Sequence, residues 1–182
     1  MAQRNPKPSV EARPDREARI LKTQRLVLRK LLPEDAVPLF AIMGNASAMQ
    51  HTYVAPSFEH CRARLNAYEA LRPVLGFAPW VVCTPEGQVI GWGGLSVDLE
   101  EPEWGLEVSY AFSPAVWGRG YATELVQFSL GHAFQVMNAH EVHAFARPEN
   151  EASIRVLLKS GFTVLHFEPR LQRNHYIATA GG

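Results

Sequence analysis

One segment, Glu107-Val-Ser-Tyr-Ala-Phe-Ser-Pro-Ala-Val-Trp-Gly-Arg-Gly-Tyr-Ala-Thr-Glu124, constrains this chain more than any other. Its first half alternates. Leu106, Val108, Tyr110 and Phe112 face one way, and Glu107, Ser109 and Ala111 the other, which is the period of a half-buried strand. Ser113-Pro114 stops that strand, because proline cannot donate to a sheet ladder. Trp117-Gly-Arg-Gly-Tyr-Ala122 follows, and from Leu125 an apolar stripe runs at helical spacing. A strand, a glycine-bearing turn and a helix start present several free backbone N–H groups to an anion. The first N–H groups of a helix lack intrahelical partners, and the helix dipole adds positive charge there. Gly118 and Gly120 would let a phosphate approach the backbone, and Arg119 would add a guanidinium fork suited to its oxygens.

Two glycines between a strand and a helix also serve as a plain turn. Two phosphate-binding patterns are excluded here. The G-x-x-x-x-G-K-[ST] spacing of nucleoside triphosphatases is absent, and a dinucleotide fingerprint would need glycine where Thr123 stands.

The remainder bounds the class. A chain of 182 residues suits one domain with a sizeable core. Eighteen basic residues balance eighteen acidic ones, so no overall charge points to nucleic acid. Cys61 and Cys83 make neither a disulfide framework nor a zinc pattern, and the seven histidines include no H-x-x-x-H pair, so no metal site is expected. Cys61 reads as a small core residue. No apolar stretch is long enough to span a membrane, and a cytoplasmic protein, monomer or homodimer, is the plain expectation. Residues 1–20 carry three prolines, many charges and little to bury, and are expected to be a disordered leader.

Leu26 and Leu28 mark a first strand, followed by a helix opening at Pro33 and stopping at Gly44-Asn45, with Pro38 kinking it or shortening its first turn. A second helix is bounded by Ser57 and Pro73. Trp80–Cys83 and 88–97 form a hairpin in which Gly91, Gly93 and Gly94 mark a bulge or close backbone approach. Trp80, Trp92 and Trp104 are expected in the core or a pocket wall. A long helix then runs to about Asn138. Strand 142–146, helix 150–160 closed by Gly161, and strands 163–167 and 175–178 complete an α+β pattern with a largely antiparallel sheet.

Trp117–Ala122 resembles the acetyl-coenzyme A pyrophosphate loop, Gln/Arg-x-x-Gly-x-Gly/Ala, of the GNAT superfamily of N-acetyltransferases. The first position departs from Gln/Arg. That departure is usual in the ribosomal-protein N-terminal acetyltransferase-like branch, which often reads Tyr-Trp-Gly-Lys-Gly-Tyr-Ala-Thr-Glu. Thr23-Gln-Arg-Leu-Val-Leu-Arg29 with Pro33-Glu-Asp-Ala36 resembles the first strand and helix of that branch. Asn150-Glu-Ala-Ser-Ile-Arg-Val-Leu-Leu-Lys-Ser-Gly-Phe162 resembles its Asn-x-x-Ser-x-x-x-x-x-Lys-x-Gly-Phe segment. The resemblance runs from about residue 23 to the C-terminus and is weakest over 53–75. It implies a single GNAT-like domain over 21–182, with a mixed, mostly antiparallel sheet of about six or seven strands and about four helices.

It also implies acetyl-coenzyme A as cosubstrate and acetyl transfer to a primary amine by direct attack in a ternary complex. Trp117, Gly118, Arg119, Gly120, Tyr121, Ala122 and Thr123 would hold the pyrophosphate. Backbone at Ala111 and Phe112 would polarise the thioester carbonyl, and Asn150 would contact the pantetheine arm or cap its helix. Glu107 is the candidate general base, with Glu103 as runner-up; beside apolar walls its pKa would rise toward the working range. Ser153 is the candidate partner of the departing sulfur, since Leu157 stands where many relatives outside the branch carry a tyrosine acid. As ordinary roles, Glu107 would be a solvated strand residue and Ser153 a first-turn residue bonded to its own backbone. Two alternatives keep the fold: a non-catalytic acyl-coenzyme A-binding module, and an antibiotic-modifying acetyltransferase.

Proton energetics bear on the acceptor. At pH 7.4 a free amine costs roughly 4 kcal/mol for lysine (pKa about 10.4), but under about 1 for a peptide α-amine (about 7.7–8.0). The acidic run Asp98, Glu100, Glu101 and Glu103 could draw a cationic acceptor. Peptide α-amines or weakly basic small amines are therefore expected to exceed lysine side chains in kcat/KM at pH 7.4. A lysine side chain emerging as the best acceptor would require a base stronger than Glu107.

Overall fold

In the structure, a computed structural model describing residues 20–181, alternate burial along short strands builds one sheet. In chain order the elements are β1 (Leu21–Lys22), β2 (Val27–Arg29), α1 (Ala36–Met43), α2 (Phe58–Leu75), β3 (Trp80–Cys83), β4 (Val89–Ser96), β5 (Glu107–Phe112), α3 (Tyr121–Gln135), β6 (Glu141–Ala146), α4 (Glu151–Lys159), β7 (Thr163–Glu168) and β8 (Arg173–Thr179). The sheet order is β1-β2-β3-β4-β5-β6-β8-β7. Every pairing is antiparallel except that of β5 with β6. The α+β expectation holds, with eight strands; the extra one is the two-residue β1, too short for an alternation to show. The expected leader lies outside the described residues apart from Ile20.

The period-2 pattern divides the sheet's faces between two helix pairs. Val108, Val142, Ala144 and Tyr176 pack with Val126, Leu130 and Ala133 of α3 and Leu157 of α4. Leu28, Trp80, Val82 and Phe112 extend that layer to Leu125. On the opposite face, Val81, Cys83 and Trp92 pack with Leu39 and Ile42 of α1 and Cys61, Leu65 and Tyr68 of α2. Both cysteines are buried core thiols. Trp80 and Trp92 are core, as expected.

Boundaries moved for local reasons. Pro33–Asp35 forms a 3-10 turn, so α1 begins at Ala36 and Pro38 falls in its first turn, where no intrahelical partner is lost. Asp35 ends that turn. It is buried and accepts both Arg29 guanidinium N–H groups at 2.6 and 2.7 Å. Ser57 caps α2 by accepting the His60 N–H at 3.2 Å, but the helix runs through Pro73 to Leu75 and ends at Gly76. Proline's fixed φ is helical, so late in a helix it removes one bond without ending it. The long helix ends at Gln135, three residues before Asn138. Among the described residues no helix is long and apolar enough to cross a membrane.

The β4 glycines do mark close approach. A Cβ on Gly93 would lie 2.5 Å from the Ser109 carbonyl oxygen, and one on Gly94, whose φ is +119°, 2.4 Å from the Trp80 ring. β4 also bulges opposite Val82/Cys83. Gly94→Ala combines a strained backbone with overpacking and should cost about 1–3 kcal/mol. The expected readout is a lower denaturant midpoint at unchanged slope; a wild-type midpoint would show that Trp80 moves aside freely.

Candidate active site

The parallel strands β5 and β6 share one register pair, Glu107 with His143, joined by the His143 N–H donating to the Leu106 carbonyl at 2.8 Å. Beyond that pair they part. Both lead directly to helix starts, β5 through residues 113–120 to α3 and β6 through 147–150 to α4. The gap between the strands therefore opens toward two helix N-termini, where backbone N–H groups and dipoles favour anions. A cleft of about 1140 Å³ occupies this gap and continues over the α2 side of the sheet.

The predicted site residues converge on this cleft. Glu107, Ala111, Phe112, Trp117, Gly118, Gly120, Tyr121, Ala122, Thr123, Asn150 and Ser153 all line it. Arg119 does not: it is exposed, outside the lining. Its carbonyl instead accepts the Arg25 guanidinium at 2.8 Å. Glu103 is also exposed and outside the cleft, which leaves Glu107 as the strand carboxylate within it.

Gly118 (φ +74°) and Gly120 (φ +78°) both hold left-handed backbone, which other L-residues adopt only at a cost. Gly120 is the N-cap of α3, with no capping side chain, so the first N–H groups of the helix face the cleft unshielded. The Trp117 indole N–H turns back to the Phe112 carbonyl at 3.0 Å and pins the loop to the strand end.

An acid in the first turn of α3 would oppose an anion, but Glu124 is engaged. It accepts from the Thr23 hydroxyl and, at 2.7 Å each, from the Arg25 backbone N–H and guanidinium. Burial pushes the Glu124 carboxyl up, yet these bonds together hold it below the ordinary carboxylate range. Arg25 also lies over the Tyr121 ring at 4.9 Å, and its Nη2 is 3.4 Å from where a Cβ of Gly120 would stand. Arg25, itself outside the cleft lining, therefore braces the glycine-bearing loop from behind. The segment Thr23–Arg29 held the only sequence signal for this, since an interaction across 99 residues has no local pattern.

The Asn150 side chain caps α4 by accepting the Ser153 N–H at 3.1 Å. The Ser153 hydroxyl lies 2.7 Å from the Tyr110 hydroxyl. Burial pushes the Tyr110 phenol up to about 12, so it stays protonated through the neutral range. In the alternation Tyr110 counts only as an apolar-face residue, and its role as the partner of Ser153 depends on where α4 lands. Leu157 is buried in the core.

Glu107 is half-buried and bonded by the Ser96 hydroxyl at 3.1 Å. Burial pushes its carboxyl above the ordinary range, helped by the charge of Asp98, while Ser96, Arg173 and Arg64 pull it back. The acidic run is less free than its sequence suggests. Asp98 accepts the Glu100 and Glu101 backbone N–H groups at 2.7 and 2.9 Å, Glu100 faces Arg64 at 3.5 Å, and Glu101 faces Arg170 at 3.6 Å.

Among the described residues no cluster could hold a metal ion. His175 is buried under Phe145 and Trp104, 2.9 Å from His143, with its Nδ1 unmatched by any partner. Burial lowers its pKa.

The family model described as "Acetyltransferase (GNAT) domain" matches residues 25–163. An uncharacterized N-acetyltransferase, YoaA of Bacillus subtilis, is 27% identical over 146 residues, covering 79% of this chain and 82% of that protein. An acetyltransferase structure from Agrobacterium tumefaciens superposes with a TM-score of 0.76 at 22% identity, covering 98% of this chain and all of that one. A spermidine N-acetyltransferase from Vibrio cholerae, in complex with CoA and spermine, superposes with a TM-score of 0.69 at 18% identity over 86% of this chain and 96% of that one. With a match spanning both the glycine-bearing turn and the parted strands, this chain belongs to the GNAT family of acetyltransferases.

Proposed function

We propose that this acetyltransferase transfers the acetyl group of acetyl-coenzyme A to a primary amine, by direct attack within a complex holding both substrates. One observation carries this reading: a single cleft joins a parted strand edge and an uncapped helix N-terminus, suited to the cosubstrate, to a half-buried carboxylate suited to an amine. The peptide α-amine, as in the ribosomal-protein branch that the motifs resemble, and weakly basic small amines remain the favoured acceptors. Support comes from the modest strength of a lone carboxylate base.

Acetyl-coenzyme A supplies the acyl group as a thioester. Gly118, Gly120 and the first N–H groups of α3 hold its pyrophosphate, with Arg25 behind them. Backbone at Ala111 and Phe112, on the parted edge, polarises the carbonyl. Glu107 takes one proton from the incoming ammonium. The nitrogen lone pair then bonds the carbonyl carbon as the carbon–sulfur bond breaks, and the sulfur leaves with the electron pair. The second amine proton reaches that sulfur through the Ser153 hydroxyl, which Tyr110 orients, and Glu107 releases its own to solvent.

Gly120→Glu places bulk and negative charge in the cradle. It should raise the Kd for acetyl-coenzyme A more than about tenfold, with a stability loss of about 1–2 kcal/mol from the left-handed backbone at that position. Arg119→Ala, which removes an exposed charge, should weaken binding only slightly and mainly at low salt. Wild-type affinity in Gly120→Glu by calorimetry would move the pyrophosphate elsewhere.

Glu107→Gln should lower kcat at pH 7 by roughly 10²–10⁴ with coenzyme affinity preserved. The direction of the pKa shift sets the pH profile. Because the carboxyl of Glu107 is raised, the acidic limb of kcat for wild type should fall above the ordinary glutamate value of about 4.3. The variant should lose that limb and recover activity as rising pH supplies free amine. A variant with an unaltered acidic limb would assign the limb to another group.

A further inference from the structure

Three arginines line the acceptor half of the cleft: Arg64, Arg170 and Arg173. Two are occupied. Arg64 faces Glu100 at 3.5 Å, donates to the Tyr68 hydroxyl at 3.3 Å and lies over the Tyr53 and Tyr68 rings. Arg170 faces Glu101 and Glu168 at 3.6 Å each and lies over the Trp104 ring. Arg173 is half-buried at the start of β8, and among the described residues its guanidinium has no hydrogen bond and no ion pair within 4 Å.

Several features make that state costly without a ligand. A charge held in a partly dry wall loses hydration that only a partner can replace. The exposed Arg147 adds a second positive charge near Arg173, while Glu107 and Asp98 act on it only at a distance. Of the other cleft carboxylates, Glu151 faces Arg155 at 3.2 Å and the exposed Glu149 makes no ion pair with Arg173; the rest are engaged elsewhere. Glu100 and Glu101 face other arginines, Asp98 serves its own loop, and Glu107 is held by Ser96. Glu107 and Arg173 lie close enough for each to shift the other's charge equilibrium. The acceptor half of the cleft thus offers a base for an amine beside an unmatched cation.

We propose that Arg173 is the anion receptor of the acceptor site, and that the acceptor is a small primary amine that also bears a carboxylate or phosphate. This rests on the acetyltransferase reading above and departs from its preference for weakly basic amines, because Arg173 selects on the anion and not on the basicity of the nitrogen. With its amine at Glu107, such a molecule places its anion at Arg173, where a planar guanidinium takes two oxygens at once. A polyamine meets the opposite sign there.

Calorimetry on the full chain saturated with CoA reads the site without depending on turnover. The probes are L-phenylalanine and L-methionine, their α-carboxamides, 2-aminoethyl phosphate and spermidine. The free acids, or the phosphate, should bind at least about tenfold more tightly than the carboxamides, as expected for a charge-assisted bidentate contact. Whichever of the two binds tighter identifies the anion. Arg173→Ala should erase the acid-to-amide ratio with CoA affinity and melting temperature unchanged, and Arg173→Lys should keep part of it. An acid-to-amide ratio near one, spermidine as the tightest probe, a ratio that survives Arg173→Ala, or no binding by any anionic amine would each overturn the proposal. Thiol release from acetyl-coenzyme A is followed separately. Its absence for every amine would defeat the acetyltransferase reading, while the binding ratio still decides the role of Arg173.

Discussion

The parting of β5 from β6 after a single register pair is the constraint on which this site depends. A strand edge left open inside a protein exposes N–H and C=O groups that must find partners elsewhere. The chain tolerates the opening because each strand is secured on its other side. β5 pairs with β4 over six residues, and β6 with β8 over six more. The β4 glycines contribute directly. Gly93 lets β5 lie where a side chain would meet the Ser109 carbonyl, so β5 is held from the β4 side and needs no full ladder with β6. The open edge is thus a stable feature of two well-anchored half-sheets, and both halves deliver a helix start to the same opening.

The electrostatics follow from that geometry. At the α3 end, N–H groups and glycine backbone carry the positive character, and Arg25 neutralises the one acid in the first turn, Glu124. On the α2 side, carboxylates and guanidiniums are mixed and mostly paired. Glu107 sits at the junction, on the last residue where the sheet is still whole. Its carboxyl is raised chiefly because that junction is half-buried, with Asp98 adding to the effect. Burial of this kind moves a carboxyl toward neutral pH by disfavouring its charged form.

Periodicity and punctuation were enough to locate most elements. The alternation of Val108, Tyr110 and Phe112 against Glu107, Ser109 and Ala111 was visible directly, as were the Ser57 and Asn150 caps and the Gly118/Gly120 turn. These are signals between residues a few positions apart. The parts that were not legible depend on distant segments meeting. Arg25 reaches the cradle from a strand 99 positions before Glu124, and Tyr110 meets Ser153 across 43 positions. The acidic run illustrates the opposite failure. In sequence it is a block of free negative charge, whereas the fold sets Arg64 from α2 and Arg170 from the β7–β8 connection against it. Pro73 misled for a simpler reason: proline signals a helix end well only when the chain has no better stop nearby, and Gly76 was three residues away.

The clasp at Glu124 ties these levels together. Thr23 and Arg25 precede β2 and make no contact with Glu107, yet they engage the first-turn acid of α3 and the backbone of the glycine-bearing loop. The Glu124 carboxyl is held below its ordinary range, so the clasp adds stability at pH values above the unfolded glutamate pKa of about 4.3 and loses it as pH falls through the lower folded value. Burial raises Glu107 and hydrogen bonds lower Glu124, so two glutamates in one site are driven in opposite directions. One stays ionised and structural throughout the neutral range, and the other is brought nearer to exchanging protons there. Environment, rather than residue type, separates their roles.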